Sequence, residues 1–180
     1  LAESLGHQII KPVPSLFSFS CRDEKLKKCK GVSIKNIHLG IHINNKLFKS
    51  KGDLLITHWG FSGPAILKLS SEAARELHEK NYNFKLNIKW TNLDLYELNK
   101  RLNNLREANG KSNLCNLRPI PTLTKRLWLY LLDKLEIDNA KKWSEIFSAE
   151  RNKIIDILLN DEYQISSRGP FSDEFVTSGG

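Results

Sequence analysis

The feature that most constrains the fold is a change of hydrophobic period along the chain. Apolar side chains alternate at Val32, Ile34 and Ile37, then at Leu39, Ile41 and Ile43, and again at Phe84, Leu86, Ile88 and Trp90. A period of two is the signature of half-buried strands. From residue 92 to 160 the spacing becomes three and four. Leu95, Leu98, Leu102 and Leu105 form one stripe, Leu123, Leu127, Tyr130, Leu131 and Leu135 a second, and Ile154, Ile155, Leu158 and Leu159 a third. None of these helices can bury its stripe alone, so they pack together. Alternation then returns at Tyr163, Ile165 and Ser167. The expectation is an α+β fold, an antiparallel β-barrel with an embedded helix and a small helical bundle. In this reading residues 12–91 form the first barrel part and 92–160 the helical subdomain. Residues 161–180 are returning strands that complete the barrel, and 1–11 are a tail.

Local signals fill in this frame. Residues 16–21 read as a short strand. Asn44-Asn45 supplies a turn, because Asn tolerates positive φ, and makes 39–49 a hairpin. Residues 53–57 read as a further strand after a turn at Gly52. A helix over 64–80 starts at Pro64 with Ser62 as N-cap, and carries Ala65, Ile66, Leu69, Ala73 and Leu77 on one face. Asn109-Gly110 offers a left-handed helix stop. Thr122 or Thr124 caps the next helix, Ser148 opens the last, and residues 173–177 are a final strand candidate.

Composition excludes several classes. Of 180 residues, 40% are hydrophobic and 27% charged, which is globular rather than disordered. No apolar run approaches the roughly 18 residues of a membrane span. Three Cys (Cys21, Cys29, Cys115) without a CxxC suggest neither a zinc site nor a disulfide framework, and the expected compartment is the cytoplasm. The chain has no Met and reads at both ends as a piece of a larger protein. The net charge of +8 permits a polyanion partner, so a basic nucleic-acid-binding barrel module is the alternative function. The densest cationic run, from Lys25 to Lys30, reads as a solvated loop or short helix. A phosphate site there would require donors converging in space.

The most unusual stretch is Gly52-Asp-Leu-Leu-Ile-Thr-His-Trp-Gly-Phe-Ser-Gly-Pro-Ala-Ile-Leu67, a strand, a glycine-rich turn and a helix start. Gly60 and Gly63 permit backbone conformations that a Cβ forbids. The first helical amides favour an anion. A tight turn with a capping Ser is the plainer reading of the same residues. His58 and Ser62 lie four apart, but Gly60-Phe-Ser-Gly-Pro64 is not G-x-S-x-G and no third triad member exists, so a serine hydrolase is disfavoured. His38 and His42 would stand about 13 Å apart along a strand, too far for one metal. No G-x-G-x-x-G, P-loop or H-E-x-x-H occurs. Neither a metal nor a self-contained dinucleotide site is expected.

This stretch resembles the "G-x-L-L-F-T-H-x-G-x-S-G-P-A-I-L" signature of the bacterial NAD(P)/FAD-dependent oxidoreductases of the YhiN/BaiN type, to which aminoacetone oxidase is similar. Ala2-Glu-Ser-Leu-Gly-His-Gln-Ile-Ile-Lys-Pro-Val-Pro-Ser-Leu16 and Phe175-Val-Thr-Ser-Gly-Gly180 resemble two further family segments, in the family's order. The resemblance implies a domain inserted in an FAD-binding domain of the same polypeptide. FAD would be bound by the parent and not by this part alone, and NAD(P)H enters as a second cofactor. It further implies that Thr57, His58, Trp59, Gly60, Ser62, Gly63 and Pro64 face the cofactor or substrate. Gly6, His7, Thr177, Gly179 and Gly180 would form the junction with the FAD domain. It assigns no catalytic acid or base, and it leaves the small-molecule substrate open. The implied role is a substrate-side or lid domain, not catalytic alone.

Overall fold

In a computed structural model, which describes residues 3–170 and 176–180, six antiparallel strands close into a barrel in the order β2-β5-β4-β3-β6-β7. The strands are β2 (Phe19–Cys21), β3 (Ser33–Ile43), β4 (Lys46–Ile56), β5 (Gly60–Ser62), β6 (Phe84–Lys89) and β7 (Asp161–Arg168). Two short strands, β1 (Val13–Pro14) and β8 (Thr177–Ser178), pair with each other outside the barrel. The helices are α1 (Pro64–Glu72), α2 (Ala74–Glu79), α3 (Leu95–Asn109), α4 (Lys125–Lys134) and α5 (Ser148–Leu159). This is the expected α+β class. Among the described residues no helix is long and apolar enough to cross a membrane.

The alternating residues point inward. Ile34, Ile37, Leu39, Ile41 and Ile43 of β3 and Leu86 and Ile88 of β6 are all buried. The step of three between Ile34 and Ile37 is a β-bulge. Asn36 takes a positive φ of 56°, and its amide donates to Asp53 Oδ1 at 3.0 Å. The extra residue restores the phase, so 33–43 is one strand rather than two. The Asn44-Asn45 turn has positive φ at both residues, and β3 and β4 form the expected hairpin. Gly52 is not a turn. It pairs with Ile37 inside a continuous β4, so the strand expected at 53–57 is the second half of this one.

Other local expectations shift. The strand begins at Phe19, after Leu16 has adopted a positive φ of 56°. The helix over 64–80 breaks at Ala73, yet its stripe of Ala65, Ile66, Leu69, Ala73 and Leu77 stays buried. Gly110 is right-handed, so α3 does not end on a left-handed glycine. Its start is the stronger signal: Asp94 and Glu97 form a reciprocal capping box. Thr124, rather than Thr122, caps α4. Of the returning segment, β7 closes the barrel while β8 pairs only with β1. Most of the strand expected at 173–177 lies outside the described residues.

A buried polar cluster joins the helices to the barrel. Asp161, the first residue of β7, is 2% exposed. Its Oδ2 accepts from Trp90 Nε1 at 2.8 Å and from the Tyr163 hydroxyl at 2.5 Å, and its Oδ1 accepts from Lys134 Nζ at 2.5 Å. Lys134 also covers the Tyr163 ring, 3.8 Å from its centroid. One turn earlier on α4, the Tyr130 hydroxyl meets that of Tyr163 and donates to Asp23 Oδ2 at 2.6 Å. Burial pushes the Asp161 carboxyl above its ordinary value, against the pull of Lys134 and the two neutral donors. Burial and the neighbouring carboxylates push both tyrosines up as well.

Asp161→Ala strands Lys134, Trp90 and Tyr163, so it should lower the unfolding free energy at pH 7 by about 3–5 kcal/mol, as read from urea denaturation. Asp161→Asn retains an acceptor and should lose less. The folded state raises the carboxyl's pKa, so it binds the proton more tightly than the unfolded chain. Wild-type stability relative to Asp161→Asn should therefore fall as pH rises from below the ordinary 3.8 through the raised folded value. A difference that grew over that window would contradict burial as the dominant cause.

Candidate functional site

The signature stretch folds as the end of β4, a tight turn and β5, followed at once by α1. Thr57 builds the turn. Its amide donates to the Gly60 carbonyl at 2.8 Å, and its Oγ1 accepts the amides of Gly60 at 3.1 Å and Trp59 at 3.4 Å. The Trp59 carbonyl then accepts from the Cys21 amide at 2.8 Å, stitching the turn to β2.

The two glycines have steric reasons to be there. Gly60 has φ 152°, and a Cβ on it would stand 2.3 Å from the Phe19 carbonyl oxygen and 2.8 Å from the Cys21 amide nitrogen. Gly63 has φ 100°, and its Cβ would stand 2.9 Å from the Asp53 carbonyl oxygen and 3.0 Å from the Leu55 amide nitrogen. Both conflicts are with strand backbone, which cannot move aside without opening the barrel. The glycine spacing is thus explained by how closely β5 and α1 approach β2 and β4.

Ser62 does not cap the helix. It lies in β5 opposite Leu55, and Gly63 is the N-cap, without a side-chain cap bond. Pro64 occupies the first helical turn as expected, and it is exposed. His58 is exposed and Trp59 half-buried. Their rings meet edge to face, with centroids 4.3 Å apart. Among the described residues no hydrogen bond joins His58 to Ser62, so the turn presents no nucleophile–base pair. His38 is engaged instead by Asn92 Oδ1 at 2.9 Å. No three metal-binding side chains gather among the described residues. Trp90, Trp128 and Trp143 are fully buried, which leaves Trp59 as the tryptophan at a surface.

Of the residues expected at the junction, Thr177, Gly179 and Gly180 lie in or beside a short ladder. Ile10 and Gly180 exchange backbone hydrogen bonds of 3.3 and 2.9 Å, Val13 faces Ser178, and the Ser15 amide donates to the Val176 carbonyl at 3.1 Å. Thr177, Gly179 and Gly180 are therefore brought beside residues 10–15. Gly6 and His7 precede this ladder in an exposed segment. The incoming chain is fixed to the barrel by α1: Ser15 Oγ donates to Ser71 Oγ at 3.1 Å, and the Phe17 amide donates to Ser70 Oγ at 2.9 Å. The Trp59 turn lies next to this seam. The Gly169 amide donates to the Ser18 carbonyl at 2.7 Å, and Trp59 Nε1 approaches within 3.4 Å of where a Gly169 Cβ would be. The sequence does not predict that Trp59 lies beside Gly169. The only signal for it was Gly169-Pro170, read as a strand breaker.

The structure thus defines a closed six-stranded barrel with a helical elaboration, whose glycine-rich turn is bonded to β2 and lies beside Gly169 at the end of β7. The family model for the HI0933-like protein barrel and H2TH domain matches residues 13–176, and the chain belongs to that family, the inserted domain of the YhiN/BaiN-type flavoproteins. No curated protein matches the chain.

Gly60→Ala should destabilise the protein by about 3 kcal/mol or more, because the added methyl overlaps backbone on a neighbouring strand. Gly31 also has positive φ, but a Cβ there meets nothing within 4 Å. Gly31→Ala should cost only about 1–2 kcal/mol of left-handed strain. Equal losses in chemical denaturation would refute the close-approach explanation.

Proposed function

We propose that this domain serves an FAD-dependent oxidoreductase as its substrate-side element. On this reading the turn of Thr57, His58, Trp59, Gly60, Ser62, Gly63 and Pro64 faces the cleft of the FAD-binding domain. The observation that carries the proposal is the position of Trp59 beside Gly169, whose amide bonds Ser18 where the chain enters and leaves the barrel. On this reading the parent domain, reached through β1 and β8, lies on the side of the barrel that carries Trp59. Exposed apolar side chains also flank the β1–β8 ladder: Ile9, Ile10, Leu16 and Val176. Clustered exposed apolar groups mark an interaction surface, and the flavin domain of the same polypeptide is the occupant that fits an inserted domain.

In this arrangement FAD supplies the redox chemistry, with NAD(P)H as electron donor or acceptor. The chain's own residues exclude water and shape the pocket. The exposed His58 imidazole, braced by Trp59, is the polar group that the turn can offer to a ligand. No acid or base in this domain is assigned to proton transfer. Three unpaired thiols fit a reducing cytoplasm.

The full-length protein should show flavin absorbance when purified or after incubation with FAD. A colourless protein that fails to take up FAD ends the proposal. His58→Ala removes an exposed ring and should change stability by no more than about 0.5 kcal/mol. If the turn faces the reacting cleft, the same variant should slow turnover by about tenfold. Unchanged steady-state and flavin-reduction kinetics would place the turn elsewhere.

A further inference from the structure

We infer that a cleft between α4 and the 3-10 turn Leu26–Cys29 is a binding site for a small organic phosphate ester, independent of the flavin reading. The cationic run from Lys25 to Lys30 folds against α4 rather than standing free. The buried Cys29 Sγ contacts the Arg126 carbonyl at 3.6 Å, and the Arg126 guanidinium donates to the Lys30 carbonyl at 3.3 Å. Between the two elements lies a cleft of about 350 Å³, lined by Lys25, Lys28, Arg126, Leu129, Tyr130, Asp133 and Asn139. That volume is at the lower end of those that hold small ligands.

The charge in the cleft is unbalanced. Three cations stand against one carboxylate, a surplus of two positive charges, and that carboxylate is already held: Asp133 accepts from Lys25 at 3.0 Å. Asp23, behind the cleft floor, is engaged by the Tyr130 hydroxyl and by the amides of Lys25 and Leu26. Glu24 is paired with Lys27 at 2.7 Å. Among the described residues no carboxylate pairs with Lys28 or Arg126. Both line the same cleft, and Arg126 spends one donor on the Lys30 carbonyl. Arg126 also sits in the first turn of α4, at the positive end of its dipole.

The shape favours a compact ligand over a polymer. Arg126 and Asp133 are two helical turns apart, about 10 Å along the axis. The Lys25–Asp133 bridge crosses the cleft at the Asp133 end, and the Arg126–Lys30 contact crosses at the other. Leu129 and Tyr130 give an apolar floor between them. A phosphomonoester dianion matches the surplus charge, its oxygens meeting Lys28 and Arg126 while its organic body covers Leu129 and Tyr130.

The test is calorimetric titration of the full-length protein, with FAD in excess, at low salt. The probes are phenyl phosphate, phenol, inorganic phosphate and a single-stranded DNA oligomer. Phenyl phosphate should bind, more tightly than inorganic phosphate, and phenol should not. Lys28→Gln and Arg126→Gln should each weaken phenyl phosphate by about tenfold, while Lys49→Gln on β4 leaves it unchanged. Circular dichroism checks that each variant is folded, and Lys28→Glu, an exposed charge reversal, provides a second variant should Arg126→Gln unfold. Absence of binding at millimolar phenyl phosphate overturns the inference. So do variants that bind like wild type, or equal affinity for inorganic phosphate. Binding of the oligomer that falls steeply with salt and is not displaced by phenyl phosphate would assign the face to a nucleic-acid backbone instead.

Discussion

The rest of the structure depends on the buried carboxylate of Asp161. It is the first residue of the strand that closes the barrel, and its three donors come from the residue that follows β6, from β7 itself and from α4. One side chain therefore fixes where the chain re-enters the sheet after the helical segment and where α4 sits on it. Through Tyr163 and Tyr130 the same network reaches Asp23, which follows β2, the other neighbour of β7. Burying an ion pair is a weak route to stability, because desolvation offsets much of the attraction. Its contribution here is to register. An apolar contact between α4 and the barrel tolerates sliding, whereas Asp161 accepts its donors in one geometry only.

That registration bears on both surfaces discussed above. Tyr130 is the floor of the α4 cleft and also a member of the polar network. Its orientation, and with it the cleft, is set from inside the barrel. On the other side β7 runs from Asp161 to Arg168, and Gly169 then meets Ser18 and the Trp59 turn. A shift of β7 by one residue would invert its inward and outward faces and displace Gly169 from the turn. The carboxylate at one end of the strand and the glycine at the other are held in phase by the strand between them.

Much of this was legible in the sequence, for a definable reason. Period-two and period-three-to-four stripes report which faces are buried, and burial is what barrel and helices share, so the α+β class and the hairpin through Asn44 and Asn45 follow from pattern alone. What failed was local and steric. Gly52 read as a turn because glycine permits one, but nothing in the sequence says that β4 continues through it. Ser62 read as a cap because its residue type suits the role, whereas pairing with Leu55 holds it in β5. The step from Ile34 to Ile37 did carry information. A phase slip in an otherwise regular alternation, with Asn in the gap, is a bulge signal. Asp94 and Glu97 likewise carried a capping-box signature that was readable. The Asp161 network had no such mark, because its members are scattered from Asp23 to Tyr163 and only the fold assembles them.

The signature stretch shows where sequence and structure say different things about the same residues. As a motif it invites a functional reading of every position. Sterically, Gly60 and Gly63 are required by strand and helix approach alone, and Thr57 by the hydrogen bonds that close the turn. Ser62 is held by strand pairing and Pro64 by the helix start, which leaves the side chains of His58 and Trp59, the one exposed and the other half-buried, without a role in the turn's backbone hydrogen bonds. Under the proposed function, any contact with the flavin cleft would fall to those two side chains, with the surrounding residues holding them in place. The turn's rigidity would serve that role: a group that projects from a backbone locked on two strands loses little conformational freedom on binding.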